Sequence, residues 1–337
     1  MNVHELQTPA LLVDAAALDH NLAAMAAALP GPRMRPHVKA HKTSALAARQ
    51  AAVGHCAFTC ATVREAEVLA AAGLGDDILL ANEVLDAGRL GRLVQAGAAR
   101  VTVAVDSEAT IDAAAAGGVP EVLIDVNVGL PRCGCAPADA GRLADHARAR
   151  GLTVRGVMGY EGHVVGLEDR QDRVDQTGSC MALLLQAHNG VGGDVISAGG
   201  TGTYDVNTWA NEIQAGSYAL MDTAYGKLDL PFQQALTVLA TVVSTNADGW
   251  AVADAGLKAF GMDHGNPAIA DPADAAVWFL SDEHVTFSSP EGPLPKAGER
   301  IRMVPGHVDP TVAYHERMHV VDGEEVIETW AVDMRGW

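Results

Sequence analysis

Between residues 34 and 218 the chain carries eight short apolar segments containing β-branched residues, the first six each followed by an Ala-, Leu- and Arg-rich stretch of helical character. The apolar segments are 34–41, 56–61, 77–81, 100–105, 121–127, 154–160, 194–197 and 212–218, with helical stretches at 44–53, 64–72, 86–96, 108–116, 137–150 and 169–188. Eight such units predict a (β/α)8 TIM-type barrel rather than an open doubly wound sheet, because the repeat closes at eight. Residues 10–14 lie outside the count and are free to join another sheet.

After residue 232 the pattern changes. Segments 236–244, 250–253, 276–280, 283–287, 300–304 and 325–331 read as strands separated by Gly, Pro and Asp. The expected organisation is a barrel over 9–232 and a C-terminal β-rich domain over 233–337, with residues 1–8 able to join the latter. Pro231 marks the boundary.

A net charge of −19 opposes nucleic acid and anionic membrane as partners. Five cysteines without paired CxxC spacing read as reduced thiols. No apolar run reaches spanning length and no signal segment opens the chain, so a cytoplasmic protein is expected.

The densest chemistry is Arg35-Pro36-His37-Val38-Lys39-Ala40-His41-Lys42. On a strand, Arg35, His37, Lys39 and His41 share one face, which in a barrel points inward. Burying that many basic groups is costly, and an anionic or aldehyde-bearing ligand accounts for it. Positive neighbours and a low dielectric favour a neutral amine, the form that makes a Schiff base, and parity selects Lys39 over Lys42. The plainer reading is a solvated strand end.

The glycine-rich run from Ser197 to Thr203 follows the seventh segment, where barrel enzymes often bind phosphate. Gly200, Thr201, Gly202 and Thr203 offer backbone and hydroxyl donors. Arg132 ends the fifth segment and suits an anionic oxygen. Tyr160 and His163 end the sixth, the former suited to packing on a cofactor ring and the latter to acting as a base. In the second domain, His307 and Asp309 stand two apart, an imidazole and a carboxylate suited to Zn²⁺ or Mn²⁺; a polar turn is the plainer alternative.

Taken together, these segments resemble the D-threonine aldolase and D-serine dehydratase family, fold-type III pyridoxal-phosphate enzymes related to alanine racemase. The resemblance runs through nearly the whole chain: residues 8–14, 35–42, 199–203, 216–222, 254–258 and 305–311 match in order. It implies that Lys39 carries pyridoxal 5′-phosphate, with His37, Arg132, Tyr160, Gln214, Tyr218 and the glycine loop around it. It implies that His307 and Asp309 hold a divalent metal (Mn²⁺, Zn²⁺ or Mg²⁺) beside the cofactor, that His41 or His163 is the base, and that the chain forms a homodimer acting on a small amino-acid substrate.

Gln214 stands where alanine racemases carry an Arg, and racemases lack the His-x-Asp segment, so a racemase is disfavoured. Asp309, where dehydratases often carry Cys, leans towards an aldolase cleaving a β-hydroxy D-amino acid such as D-threonine or D-3-hydroxyaspartate. A dehydratase releasing a keto acid and ammonia is the alternative. A non-catalytic pyridoxal-phosphate carrier and a sugar-phosphate barrel enzyme are the remaining readings. Residues 262–267 depart from the family's loop at that place.

Overall fold

The computed structural model describes residues 1–271 and 275–337. By contact, the chain forms two compact units: Met25–Lys39, Ser44–Gly216 and Met334–Trp337 make one, and Met1–Ala24, Ala40–Thr43 and Ser217–Asp333 make the other. Strand β1 (Ala10–Asp14) and helix α1 (Ala15–Ala28) open the chain.

The first unit is built on seven parallel strands, each paired with the next: β2 (Ala57–Cys60), β3 (Asp77–Leu80), β4 (Val101–Val105), β5 (Glu121–Asp125), β6 (Thr153–Met158), β7 (Val195–Ala198) and β8 (Glu212–Ile213). Helices α2 (Ser44–Ala52), α3 (Val63–Ala71), α4 (Gly88–Gln95), α5 (Glu108–Gly117), α6 (Ala140–Ala149) and α7 (Arg170–Val191) alternate with them. Helix starts follow local chemistry: Thr62 with Glu65, and Ser107 with Thr110, form reciprocal caps at α3 and α5. Leu79, Ala104, Leu123 and Met158 from β3 to β6 form one buried cluster.

The eighth stave is residues 34–37. Met34 bridges Ile213 and His37 bridges Thr59, both in parallel. Arg35 N–H donates to the Ile213 carbonyl at 2.9 Å, His37 N–H to Ala215 at 3.0 Å, and Thr59 N–H to Pro36 at 2.9 Å. The curled sheet is thereby joined from β8 back to β2. The strand expected over 34–41 stops at His37, because Val38–Ala40 turns into a 3-10 helix. Period-two alternation therefore does not reach Lys39 or His41, and that part of the parity argument is corrected.

Arg35 needs no ligand to justify its burial. It is 2% exposed, and its guanidinium lies 2.9 Å from Asp77 and 2.8 Å from Glu212. Arg155 approaches the same Asp77 at 2.8 Å. Burial pushes the Asp77 carboxyl up, but the Arg155 hydrogen bond and the Arg35 charge outweigh it and hold it at about 2, against an ordinary 3.8. A depressed folded-state value gives stability that is present above the unfolded value and lost as pH falls through the folded one. This group should thus contribute about 2 kcal/mol that disappears between about pH 4 and 2. Denaturant midpoints measured across that window should fall less steeply in Asp77→Asn; an identical slope would dismiss the account.

The second unit is β-rich. Its strands are β1, β9 (Leu236–Thr245), β10 (Ala251–Ala253), β11 (Ala268–Asp271), β12 (Ala276–Leu280), β13 (Val285–Ser288), β14 (Arg300–Val304), β15 (Arg317–Asp322) and β16 (Glu325–Ala331). They lie in the order β12-β13-β10-β9-β1-β15-β16, with β14 pairing β9 and β11. β1, which the eightfold count left out, runs antiparallel to β9 and parallel to β15. β11, β15 and the short helix α8 (Val308–Tyr314) are additions to the sequence reading.

Candidate active site

In the barrel unit the expected residues converge on one ring. Lys39 Nζ lies 5.7 Å from the centroid of Tyr160, and the Arg132 guanidinium lies 5.4 Å from the same centroid. Gly200 packs there too: a Cβ on it would come 3.3 Å from Tyr160 Cε2. A small pocket is lined by Asp125, Asn127, Arg132, Cys133 and Tyr160, among others.

The glycine loop hangs on a buried carboxylate. Glu161 accepts hydrogen bonds from Gly199 N–H at 3.1 Å, Thr203 Oγ1 at 2.9 Å and Asn207 Nδ2 at 3.0 Å. Gly200 N–H donates to Thr203 Oγ1 at 3.1 Å. A side chain on Gly202 would overlap the Val165 carbonyl oxygen, so only glycine allows this approach. Thr201 is buried in the same loop.

Gln214 is oriented by a chain of donors. Glu212 pairs with Arg35 and accepts the Ser197 hydroxyl proton at 2.6 Å. Ser197 Oγ must then accept, and Gln214 presents its amide nitrogen to it at 2.8 Å.

Asp125, which lines the pocket, is hydrogen-bonded to Glu83. Burial, then the neighbouring Glu83 charge and hydrogen bond, pushes the Asp125 carboxyl well up. Glu83 and burial push the Cys133 thiol up to about 11, and burial with Asp125 pushes Cys135 up to about 12. These thiols are held protonated and are poor nucleophiles.

His37 is buried in the closing stave. His163 sits on an exposed turn against Gly129, with Nε2 3.7 Å from Cys180 Sγ. His41 belongs to the second unit, where its Nδ1 accepts from Thr43 N–H at 3.3 Å. Tyr218 is also in that unit, buried with its ring 5.6 Å from that of Phe232.

The second unit gathers His307 and Asp309, whose Nε2 and Oδ1 lie 3.8 Å apart. They do not share one extended segment: α8 begins at Val308, and His307 is its extended N-cap residue. Ser217 Oγ donates to Asp309 Oδ1 at 3.3 Å. Buried Asp222 accepts from Val308 N–H at 2.9 Å, and burial pushes its carboxyl up. Asp263 and His264 join this cluster, with donor atoms within 4.8 Å of one another and of His307. Burial raises the Asp263 carboxyl, but its bond to His307 outweighs that and holds it low.

Glu161, Asp125, Asp222 and Asp263 were not read as site residues from sequence. Glu161 lay between Tyr160 and His163, Asp222 ended the matched segment 216–222 and Asp263 lay in the departing segment 262–267, but none of these signals named a partner.

Comparison with known proteins decides the family. Residues 13–224 match the alanine racemase N-terminal domain, and residues 235–321 match a putative serine dehydratase domain. A D-threonine aldolase from Arthrobacter sp. is 36% identical over 98% of this chain and 93% of its own length. The chain belongs to the D-threonine aldolase and D-serine dehydratase family. A 3-hydroxy-D-aspartate aldolase from Paracoccus denitrificans is 34% identical over 100% of this chain and 94% of its own. A D-threo-3-hydroxyaspartate dehydratase from Delftia sp. is 28% identical over 98% of each. The crystal structure of D-threonine aldolase from Filomicrobium marinum superposes with a TM-score of 0.93 at 34% identity, covering 99% of this family member and 97% of that chain. Among the described residues no helix is long and apolar enough to cross a membrane.

Proposed function

We propose that this family member is a pyridoxal-phosphate- and divalent-metal-dependent aldolase that cleaves a β-hydroxy D-amino acid at Cα–Cβ. The products are glycine and an aldehyde: acetaldehyde from D-threonine, glyoxylate from D-3-hydroxyaspartate. The observation that carries the reading is the meeting of Lys39, Arg132 and Gly200 at the Tyr160 ring.

That donor set fits the cofactor. Lys39 Nζ is the amine to hold its aldehyde carbon, Tyr160 orients an aromatic ring, Arg132 holds an anionic oxygen, and the Gly199–Thr203 loop takes a phosphate. Bound there, pyridoxal phosphate supplies an electron sink for the pair released at Cα. The imidazole nitrogen and carboxylate oxygen at 3.8 Å fit one divalent ion, with bonds of about 2.1 Å. Such an ion acidifies a hydroxyl bound to it. His163 or His41 would take the proton.

The dehydratase alternative has its own support in the match of residues 235–321 to a serine dehydratase domain. Asp309 and the higher identity to the two aldolases favour cleavage. Incubating the protein with pyridoxal phosphate, Mn²⁺ and D-threonine, D-3-hydroxyaspartate, D-serine and a phenylserine should yield glycine and an aldehyde. Ammonia and a keto acid would overturn the aldolase reading.

We further propose a homodimer working in the reducing cytoplasm. The five free cysteines support the compartment, and light scattering on the purified chain tests the dimer.

A further inference from the structure

His307 offers a cation two nitrogens, and the structure commits one of them. Nδ1 lies 2.6 Å from Asp263 Oδ2, while Nε2 faces Asp309 Oδ1 at 3.8 Å. A carboxylate only accepts, so the ring proton belongs on Nδ1 and the lone pair on Nε2. In water imidazole favours the opposite tautomer. We propose that Asp263 is a positioning residue that fixes His307 in its Nδ1–H tautomer and thereby makes Nε2 a metal donor. This rests on the reading of His307 and Asp309 as the metal ligands.

The backbone is built to put Asp263 there. Gly261 forms an antiparallel bridge with His307. Its N–H donates to the buried Thr311 Oγ1 at 3.0 Å, and that hydroxyl donates to the His307 carbonyl at 2.8 Å. A side chain on Gly261 would overlap the Pro310 ring, and one on Gly306 would come 2.7 Å from the Gly265 carbonyl oxygen. Two glycines thus let residues 261–265 and 306–311 meet at backbone distance. His264 then lies flat on His307, with centroids 4.3 Å apart and planes at 11°. The hydrogen bond selects the nitrogen, and the stack holds the ring plane.

The same three residues invite a rival reading, a single ion ligated by Asp263, His264 and His307 Nδ1. The geometry opposes it. An ion at Nδ1 would have to break the 2.6 Å bond, and two nearly parallel stacked rings cannot both aim in-plane lone pairs at one ion. A metal-ligating histidine that donates its other N–H to a carboxylate is the common arrangement, and losing such a partner typically costs 10- to 100-fold in affinity.

The test is Mn²⁺ binding, followed by electron paramagnetic resonance of free Mn²⁺, on full-length protein loaded with pyridoxal phosphate and stripped of metal. Asp263→Ala should weaken binding about 10- to 100-fold, and Asp263→Asn, which keeps an acceptor, should fall between it and wild type. His264→Phe should stay nearer wild type than His264→Ala. Nitrogen-15 spectra of histidine-labelled protein should show His307 protonated at Nδ1, shifting towards Nε2 in Asp263→Ala. Retained cofactor absorbance in each variant controls for folding. If His307→Ala and Asp309→Ala lose Mn²⁺ while Asp263→Ala stays within about twofold of wild type, the positioning role is wrong and the metal site stands. If His307→Ala and Asp309→Ala bind as wild type does, the metal site falls, and the role of Asp263 falls with it.

Discussion

Changing Lys39 to alanine is expected to abolish the aldimine absorbance of bound pyridoxal phosphate and to lower turnover by about 10³-fold or more, as loss of a covalent catalytic residue does. Lys42→Ala should leave both near wild type. The two lysines are three residues apart but differently placed. Lys39 ends the Met25–Lys39 segment of the barrel unit, and its ammonium reaches to 5.7 Å from the Tyr160 centroid. Lys42 lies in the short segment Ala40–Thr43 of the other unit, on left-handed backbone at φ 47°. The 3-10 turn Val38–Ala40 contains Lys39 and ends before Lys42, so the choice no longer rests on strand alternation. Borohydride reduction followed by peptide mapping would locate the modified lysine. A label on Lys42, or absorbance surviving in Lys39→Ala, would refute the assignment.

The barrel was legible because parallel strands buried on both faces read as apolar runs. β4, Val101–Val105, is buried throughout and was found almost to the residue. The closing stave was legible in place but not in length, since backbone turning at Val38 leaves no mark in hydrophobic period. β1 could be excluded from the eight but not paired, because its partners β9 and β15 lie more than two hundred residues away. β15 hid between α8 and β16, too close to the metal segment to be read separately.

Site residues divide along the same line. Lys39, Arg132, Tyr160 and His307 stand at segment ends or in dense motifs, where local pattern points to chemistry. Asp263 does not: its partner His307 is forty-four positions on. Arg35 was noticed for the right reason, a buried charge, and given the wrong partner. Its counterions, Asp77 and Glu212, come from β3 and β8, which only barrel closure brings together.

Glu161→Gln should weaken pyridoxal phosphate binding about 10- to 100-fold yet leave pyridoxal, which lacks the phosphate, bound within about twofold of wild type. Glu161 is 0% exposed, and its two oxygens take donors from Gly199, Thr203 and Asn207. Glutamine keeps the shape but turns one acceptor into a donor. The Gly199 N–H cannot reverse, and Asn207 is already fixed by the Ala210 N–H on its Oδ1 at 3.2 Å. At least one buried donor is therefore left facing an N–H, at a cost of about 1–3 kcal/mol. Since about 1.4 kcal/mol is tenfold in affinity, a loop that must be re-formed to bind phosphate loses roughly the stated range. The pyridoxal control separates two roles. Equal losses for both ligands would mean that Glu161 only supports the barrel. A loss confined to the phosphorylated ligand would mean that the buried carboxylate acts through the Gly199–Thr203 loop, holding it open for a phosphate before one arrives.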